Sequence, residues 1–486
     1  MVSCPMVMIA GTNSGAGKTS VALALTRALS RRGKRVQTFK VGPDFLDPTY
    51  LAIASGRPCY NLDGWMAGGG YCSRLVARTT ADADCAIVEG VMGLFDGADP
   101  QSSEGSAAEI ARLLDIPILL IANVHGMARS FAALVLGFTT FEPDLRFAGV
   151  IANHCGSDRH AEWLSLSLKA SGLPPLVGAI PRGAFPEMPS RHLGLVTADR
   201  EIISESFLDV MADVVDQQVA IERLFPTAPA VSQAEAGIET SQKTEPFNKT
   251  NENRHIKPNA AGRPKVRSID RKGALKIGVA RDKAFHFYYT DLLDELATAG
   301  CEIVFFSPLA DGRLPGNLSG LYLGGGYPEL FAEKLSSNRD MLQQIRDYAD
   351  SGRPLYAECG GLMYLSLGIE SNGSFHPLAG ILPARTRMRA GRKALGYVEA
   401  SLTKDSLWGR AGEKIRGHEF HYSELIDDPT ATPGWETIYT FTRRRSEKTE
   451  AEGFQSGSVL ASYLHLHLAS RPEAIHRFIE KCGGKP

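Results

Sequence analysis

The stretch PLYAECGGLMYL at 354–365 reads as an apolar strand, a tight turn bearing Cys359, and a helix. Gly360 and Gly361 permit the sharp turn. A helix that opens at a thiol lowers its pKa and aims a backbone N–H at a developing oxyanion. The pattern is that of a cysteine nucleophile, with Gly360 as an oxyanion donor. LYLGGGYPEL at 322–330 is a glycine-rich end of another strand and offers Gly325 and Gly326 as the second wall of the oxyanion hole. A thiol nucleophile needs an imidazole base, and ASYLHLHLAS at 461–470 supplies His465, with His467 as its rival. GHEFHYS at 417–423 holds two more histidines, whose simplest reading is as strand residues with one satisfied partner.

A different chemistry is written near the other end of the chain. GTNSGAGKTS at 11–20 sits between an apolar strand and an amphipathic helix, the setting in which glycine-rich loops wrap phosphates with backbone N–H groups. Gly11, Thr12, Gly15 and Gly17 form the loop. Lys18 would neutralise the β and γ phosphates, and Thr19 would ligate Mg²⁺ through its hydroxyl. The spacing departs from GxxxxGK[ST], because position 12 is Thr and Gly11 lies one residue further out. A second magnesium ligand should be a carboxylate ending another strand, and Glu89, closing AIVEG, is placed for it. FKVGPDFLDPTY at 39–50 brings Lys40, Asp44 and Asp47 into one loop at the same sheet edge. Asp47 is a further candidate metal ligand and, with Asp44, a candidate substrate-positioning group; a rigid turn with solvated charges is the competing reading.

These residues need a scaffold. Short apolar runs (VMIA at 7–10, VQTFKV at 36–41, AIVEG at 86–90, ILLIAN at 118–123, FAGVIAN at 147–153, VGAI at 177–180) alternate with helical patterns such as KTSVALALTRALSRRG. That rhythm predicts a parallel α/β sheet. Ser106 with Glu109 predicts a capping box opening AAEIARLLD. From 226 to 272 the composition turns rich in Pro, Ser, Thr, Asn, Glu and Lys, which predicts a flexible linker. The rhythm restarts with LKIGVA, EIVFFS, GLYLGGG and PLYAECGG. The expected division is therefore 1–225, linker 226–272, and 273–486.

The whole chain has 486 residues, enough for two cores and two active sites. A formal net charge of -1 gives no electrostatic footprint for nucleic acid or an anionic membrane surface, so a small-molecule partner is expected. No stretch is apolar enough to span a bilayer, and the N-terminus lacks a basic leader pattern, so the expected location is cytoplasmic. Eight scattered cysteines without a CxxC pair argue against a zinc site or a disulfide framework.

In order, the chain holds a GTxSGxGKT loop, a PDFLDP loop, EGVMGLFDG, an ECGG elbow and a YLHLH ending. Together they resemble the cobyrinic acid a,c-diamide synthases, amidases of the corrin ring in cobalamin biosynthesis. The first half resembles dethiobiotin synthetase, whose phosphate loop shows the same one-residue departure; the second resembles class I glutamine amidotransferases. RHLGL at 191–195 and GHEFHYS also look like family segments. The resemblance implies an α/β fold, with a P-loop parallel-sheet domain followed by an amidotransferase-like α/β domain. It implies ATP and glutamine as cosubstrates, Mg²⁺ as cofactor, a corrinoid or related tetrapyrrole polycarboxylate as substrate, and is compatible with a homodimer. Asn153, ending FAGVIAN, looks like the asparagine that reads adenine in dethiobiotin synthetase.

The sequence departs from these patterns twice. Triad glutaminases carry a glutamate two residues after the histidine, where this chain has His467, so a Cys-His pair without an adjacent orienting carboxylate is implied. IANVHGMARS carries His125 where an acidic residue is expected. The implied reaction activates a carboxylate as an acyl phosphate in the first domain and releases ammonia from glutamine in the second. A cobalt-free or nickel-containing macrocycle is an alternative substrate, and an ATPase with an inactive glutaminase-like binding module is the alternative from another class.

Overall fold

The computed structural model describes residues 4–188, 190–191, 194–195, 203–225, 275–371, 373–389, 391, 393–443 and 448–483. The linker expected at 226–272 lies outside the described residues, as does part of RHLGL.

The first unit is a seven-stranded sheet of β1 (Met6–Gly11), β2 (Val36–Val41), β3 (Cys59–Leu62), β4 (Cys85–Glu89), β5 (Ile118–Asn123), β6 (Phe147–Cys155) and β7 (Leu176–Pro181). Their order is β3-β2-β4-β1-β5-β6-β7, with every neighbour parallel. Successive side chains alternate between two covered faces. Met8, Val88, Leu120 and Ala152 pack under α3 (Gly69–Thr79), α4 (Ala107–Leu114), α5 (Ser130–Phe141) and α6 (Asp158–Ala170). Ile9, Ile87, Leu119 and Ile151 pack under α1 (Lys18–Arg31), α2 (Asp47–Ser55) and α7 (Glu205–Gln218). Each buried Met, Val, Leu or Ile among them contributes about 2 kcal/mol by burial.

The predicted capping box opens α4: Ser106 Oγ accepts from the Glu109 N–H at 3.2 Å. The Glu109 carboxylate reaches one residue further back, accepting from the Gly105 N–H at 2.6 Å. Ion pairs from Arg27 to Asp209 and from Arg31 to Asp216, both 2.7 Å, tie α1 to α7.

The second unit is built on a ten-stranded mixed sheet. Its parallel half runs 302–306, 276–280, 320–323, 355–358, 459–462, and its antiparallel half continues 449–456, 436–443, 394–402, 414–421, 465–466. Ser462 ends the fifth strand of that order and His465 begins the tenth. Two intervening residues span only about 10 Å, so the antiparallel half curls back and returns its last strand to the nucleophile strand. A side sheet of four strands, 366–371, 374–377, 382–388 and 423–425, flanks it.

One apolar cluster crosses between the units, joining Trp65 and Met66 of the first to Leu292, Val398 and Leu466 of the second. Hydrogen bonds surround it: Tyr397 donates to Asp63 and Tyr71 to Asp291, both at 2.7 Å, and Tyr60 donates to Asp294 at 2.8 Å. Among the described residues no helix is long and apolar enough to cross a membrane.

Candidate active sites

In the first unit, sheet order brings the charged residues together. β2, β4 and β1 are neighbours, and the registers set Lys40 opposite Glu89 and Glu89 opposite Ile9. The glycine-rich loop leaves β1 one residue pair further on. Gly17 caps α1 with φ 102°, a left-handed conformation natural to glycine, and a Cβ there would lie 2.2 Å from Asn153 Nδ2. Asn153 Nδ2 donates to the Ala16 carbonyl at 2.9 Å, and its Oδ1 accepts from the His154 N–H, so this side chain props the loop from beneath. Asn13, Ser14 and Gly15 are exposed at the crest.

Lys40 Nζ lies 2.5 Å from Asp47 Oδ2 and 2.9 Å from Glu89 Oε1. Thr19 Oγ1 donates to Glu89 at 2.6 Å and is 3.5 Å from Asp47. Asp44 Oδ1 accepts the N–H groups of Leu46 and Asp47 at 2.8 and 3.1 Å, folding the loop that carries them. Buried Glu89 and half-buried Asp47 thus share one lysine with Asp44 close by, and their ionisation reflects that shortage of positive charge. Burial and the neighbouring Asp47 push Glu89 up to about 7 and Asp44 up to about 6. Burial opposes the charge on Asp47, but the Lys40 contact outweighs it and holds this carboxyl below its usual range. Lys18 is buried beside Lys40, and desolvation together with that like charge lowers its pKa. Two lysines beside the glycine-rich loop at a helix N-terminus suit a multiply charged anion.

A magnesium ion would suit this donor set. Glu89 Oε2 is buried without a hydrogen-bond partner, and Thr19, Asp47 and Glu89 offer only oxygen. Two carboxylates and a hydroxyl leave positions for phosphate oxygens and water, as Mg²⁺ prefers.

In the second unit, Cys359 occupies a sharp turn. It has φ 46° and ψ -99°, a strained conformation for a residue with a Cβ, and caps the helix Gly360–Leu365. Its N–H donates to Ser462 O at 2.7 Å, anchoring the turn to the neighbouring strand. The helix begins against Gly325 and Gly326: a Cβ on Gly360 would meet Gly326 N at 3.0 Å, and one on Gly325 would meet His465 Cε1 at 2.6 Å. The predicted thiol, imidazole and three glycines are therefore in contact range of one another.

His465 is fully buried with Nδ1 3.6 Å from Glu358 Oε2, an ion-pair distance just beyond a hydrogen bond. Glu358 also accepts from the Tyr322 and Tyr356 hydroxyls at 2.7 and 2.9 Å. Burial disfavours the imidazolium, but Cys359 and Glu358 outweigh it and raise His465 to about 10. That sign favours an imidazolium at His465, held beside the thiol and the Glu358 carboxylate. The orienting carboxylate missing from position 467 is thus supplied by the residue preceding the nucleophile, which the sequence analysis did not single out. Its signal was a glutamate inside an apolar strand, a placement that demands partners.

His467 is directed elsewhere. Its Nε2 lies 3.5 Å from Asp291, which also accepts from Tyr71 of the first unit. His418 sits opposite His465 in register and stacks on it at 5.0 Å, with Nδ1 2.9 Å from the Tyr289 hydroxyl. Burial and the neighbouring histidines hold His418 well below its usual pKa, so it stays neutral. His421 stacks on Tyr463 at 4.1 Å and is lowered by burial to about 4. Glu452, also unforeseen, accepts from Ser462 Oγ at 2.5 Å and Tyr463 N at 2.7 Å, fixing the segment that leads to His465. His125 contacts Arg182. All eight cysteines are buried free thiols.

A phosphate-binding parallel α/β unit joined to a cysteine-histidine unit with a strained elbow is the plan of a nucleotide-dependent glutamine amidotransferase. The family models agree: residues 7–196 match the CobQ/CobB/MinD/ParA nucleotide binding domain, and residues 276–473 match the CobB/CobQ-like glutamine amidotransferase domain. The cobyrinate a,c-diamide synthase of Syntrophotalea carbinolica is 53% identical over 100% of both chains. Those of Leptospira interrogans serovar copenhageni and Dehalococcoides mccartyi strain 195 are 40% and 37% identical, the former over 99% of both chains and the latter over 99% of this chain and 98% of its own. The chain belongs to the cobyrinate a,c-diamide synthase family.

Proposed function

We propose that the protein amidates the a and c side-chain carboxylates of cobyrinic acid, using ATP and glutamine, to give cobyrinic acid a,c-diamide in cobalamin biosynthesis. The observation that carries this reading is the end-to-end 53% identity to a relative bearing that activity in its name. The chemistry fits the two sites. A carboxylate does not condense with ammonia at neutral pH, so the γ-phosphoryl group of ATP is first transferred to it, giving an acyl phosphate from which ammonia displaces phosphate.

In the first unit the loop residues Gly11, Thr12, Gly15 and Gly17 would cradle the phosphates, with Lys18 and Lys40 balancing charge as the phosphoryl group moves. Asn153, which keeps one amide N–H unused by Ala16, would contact adenine. Mg²⁺ would be held by Thr19, Glu89 and Asp47; when bound it supplies charge neutralisation to the phosphate oxygens. Asp44 and Asp47 would position the substrate.

In the second unit the Cys359 thiolate attacks the glutamine side-chain carbonyl, and the backbone N–H groups of Gly360 and of the Gly325–Gly326 segment would hold the oxyanion. His465, oriented by Glu358, gives its proton to the departing ammonia, and water then hydrolyses the thioester to glutamate. We place the enzyme in the cytoplasm, where ATP and glutamine are supplied.

The test is amide formation by the purified full chain on cobalt-containing and metal-free a,c-diacid macrocycles, with ATP and glutamine. The reading predicts a product two amides richer than cobyrinic acid. Turnover of the metal-free ring alone would move the assignment to that substrate, and ATP hydrolysis without any amide would remove it.

A further inference from the structure

We infer that Phe45 of the first unit is a positioning residue for the glutaminase of the second, tying glutamine hydrolysis to the state of the nucleotide site. Phe45 lies in the loop between β2 and α2, between Asp44 and Asp47. Its ring does not pack into the core of its own unit. It stacks on Phe287 at 5.1 Å and 12°, and lies 4.8 Å from Tyr289, 5.5 Å from His418 and 5.1 Å from His465. All four belong to the second unit, and the last is the base beside Cys359.

The backbone around Phe45 is held stiffly. Asp44 Oδ1 binds the two N–H groups that follow it, and Asn61 Nδ2 donates to the carbonyls of Gly42 and Asp44 at 2.9 and 2.7 Å. Asp47, two residues beyond the ring, contacts Lys40 and lies near Thr19. A loop pinned this way moves as a piece. When charge arrives at Lys40 and Thr19, Asp47 loses or changes its partner, and the ring on His465 shifts with it. Phe45 and Asp44 of the first unit line one cavity of about 540 Å³ together with His418 and His465 of the second, so the loop and the imidazole base border a common space.

This inference rests on the assignment of the two sites above, and its test separates the two. The full chain is assayed for glutamate and amide together, with and without ATP and the diacid macrocycle. Amide formation by the wild type checks the assignment; the ratio checks Phe45. In Phe45→Ala, glutamate formed per amide should rise at least threefold, and the glutaminase rate should no longer respond to ATP and macrocycle. Phe45→Tyr, which keeps the ring, should restore coupling. Phe45→Leu keeps an apolar side chain without ring contacts and is read by the same ratio if Phe45→Ala fails to fold. An unchanged ratio in the folded variant, whether or not both rates fall together, overturns the inference.

Discussion

The two sites solve opposite electrostatic problems. The nucleotide site gathers two lysines and three carboxylates at the edge of a parallel sheet, and its carboxylates outnumber the one lysine they share, leaving Glu89 near 7. The glutaminase site has one imidazole between one thiol and one carboxylate, flanked by Phe45, Phe287 and His418, and its proposed base is raised to about 10. The first site is short of positive charge that a bound magnesium ion would bring; the second already pairs its imidazole with the Glu358 carboxylate. Binding supplies what the first lacks, whereas the second needs control over when it fires.

That contrast predicts different losses. Lys18→Ala should cut amide formation about 10³-fold with either glutamine or ammonia, because the phosphoryl group loses its main cation while Cys359 is untouched. Cys359→Ser should cut the glutamine-dependent rate at least as far and spare the ammonia-dependent one. Rates measured with both nitrogen sources decide: equal loss in Cys359→Ser would remove the thiol from glutamine hydrolysis. Glu358→Gln should lower glutamine hydrolysis by about 10²-fold, since the neutral amide no longer stabilises the His465 imidazolium. Its glutaminase pH profile should lose activity at lower pH on the alkaline side than wild type. A wild-type profile would make Glu358 a packing residue.

The smallest effect concerns stability. Glu89 titrates near 7 in the fold and near 4.5 unfolded, so between those values the folded state holds the extra proton. Stability of the ligand-free protein should therefore fall as pH rises from about 4.5 to 7 and level off above, and Glu89→Gln should flatten that slope. Melting temperatures of both proteins across this range check it; identical slopes would mean that Lys40 fully compensates Glu89.

What could be read from the sequence follows how each part is built. VQTFKV and ILLIAN coincide with β2 and β5 residue for residue, because parallel strands covered on both faces read as unbroken buried runs. CYNL of β3 went unread, being four residues with a buried Asn61 among them. Of the antiparallel strands between 394 and 456, only the GHEFHYS segment was read as strand; the others went unread. One face of them meets solvent, so Glu399, Lys414 and Arg416 interrupt any apolar run. The nucleotide site was legible because each of its parts is one contiguous motif at a strand end. Cys359 and His465, proposed as nucleophile and base, stood out for the same reason, each lying in one short contiguous motif. Glu358, Glu452 and Phe45 were not, since their roles depend on the curl of the second sheet and on the contact between units, which no local spacing encodes.

The central claim is that glutamine hydrolysed at Cys359 supplies the nitrogen of the amide formed at the nucleotide site. The direct measurement supplies glutamine labelled with ¹⁵N at the side-chain amide together with an excess of unlabelled ammonium, and reads the isotope in the amide product by mass spectrometry. The account predicts product carrying ¹⁵N nearly undiluted by the ammonium pool. Product whose isotope content matches the bulk ammonium would contradict it, and would show two sites that share a chain but not their intermediate.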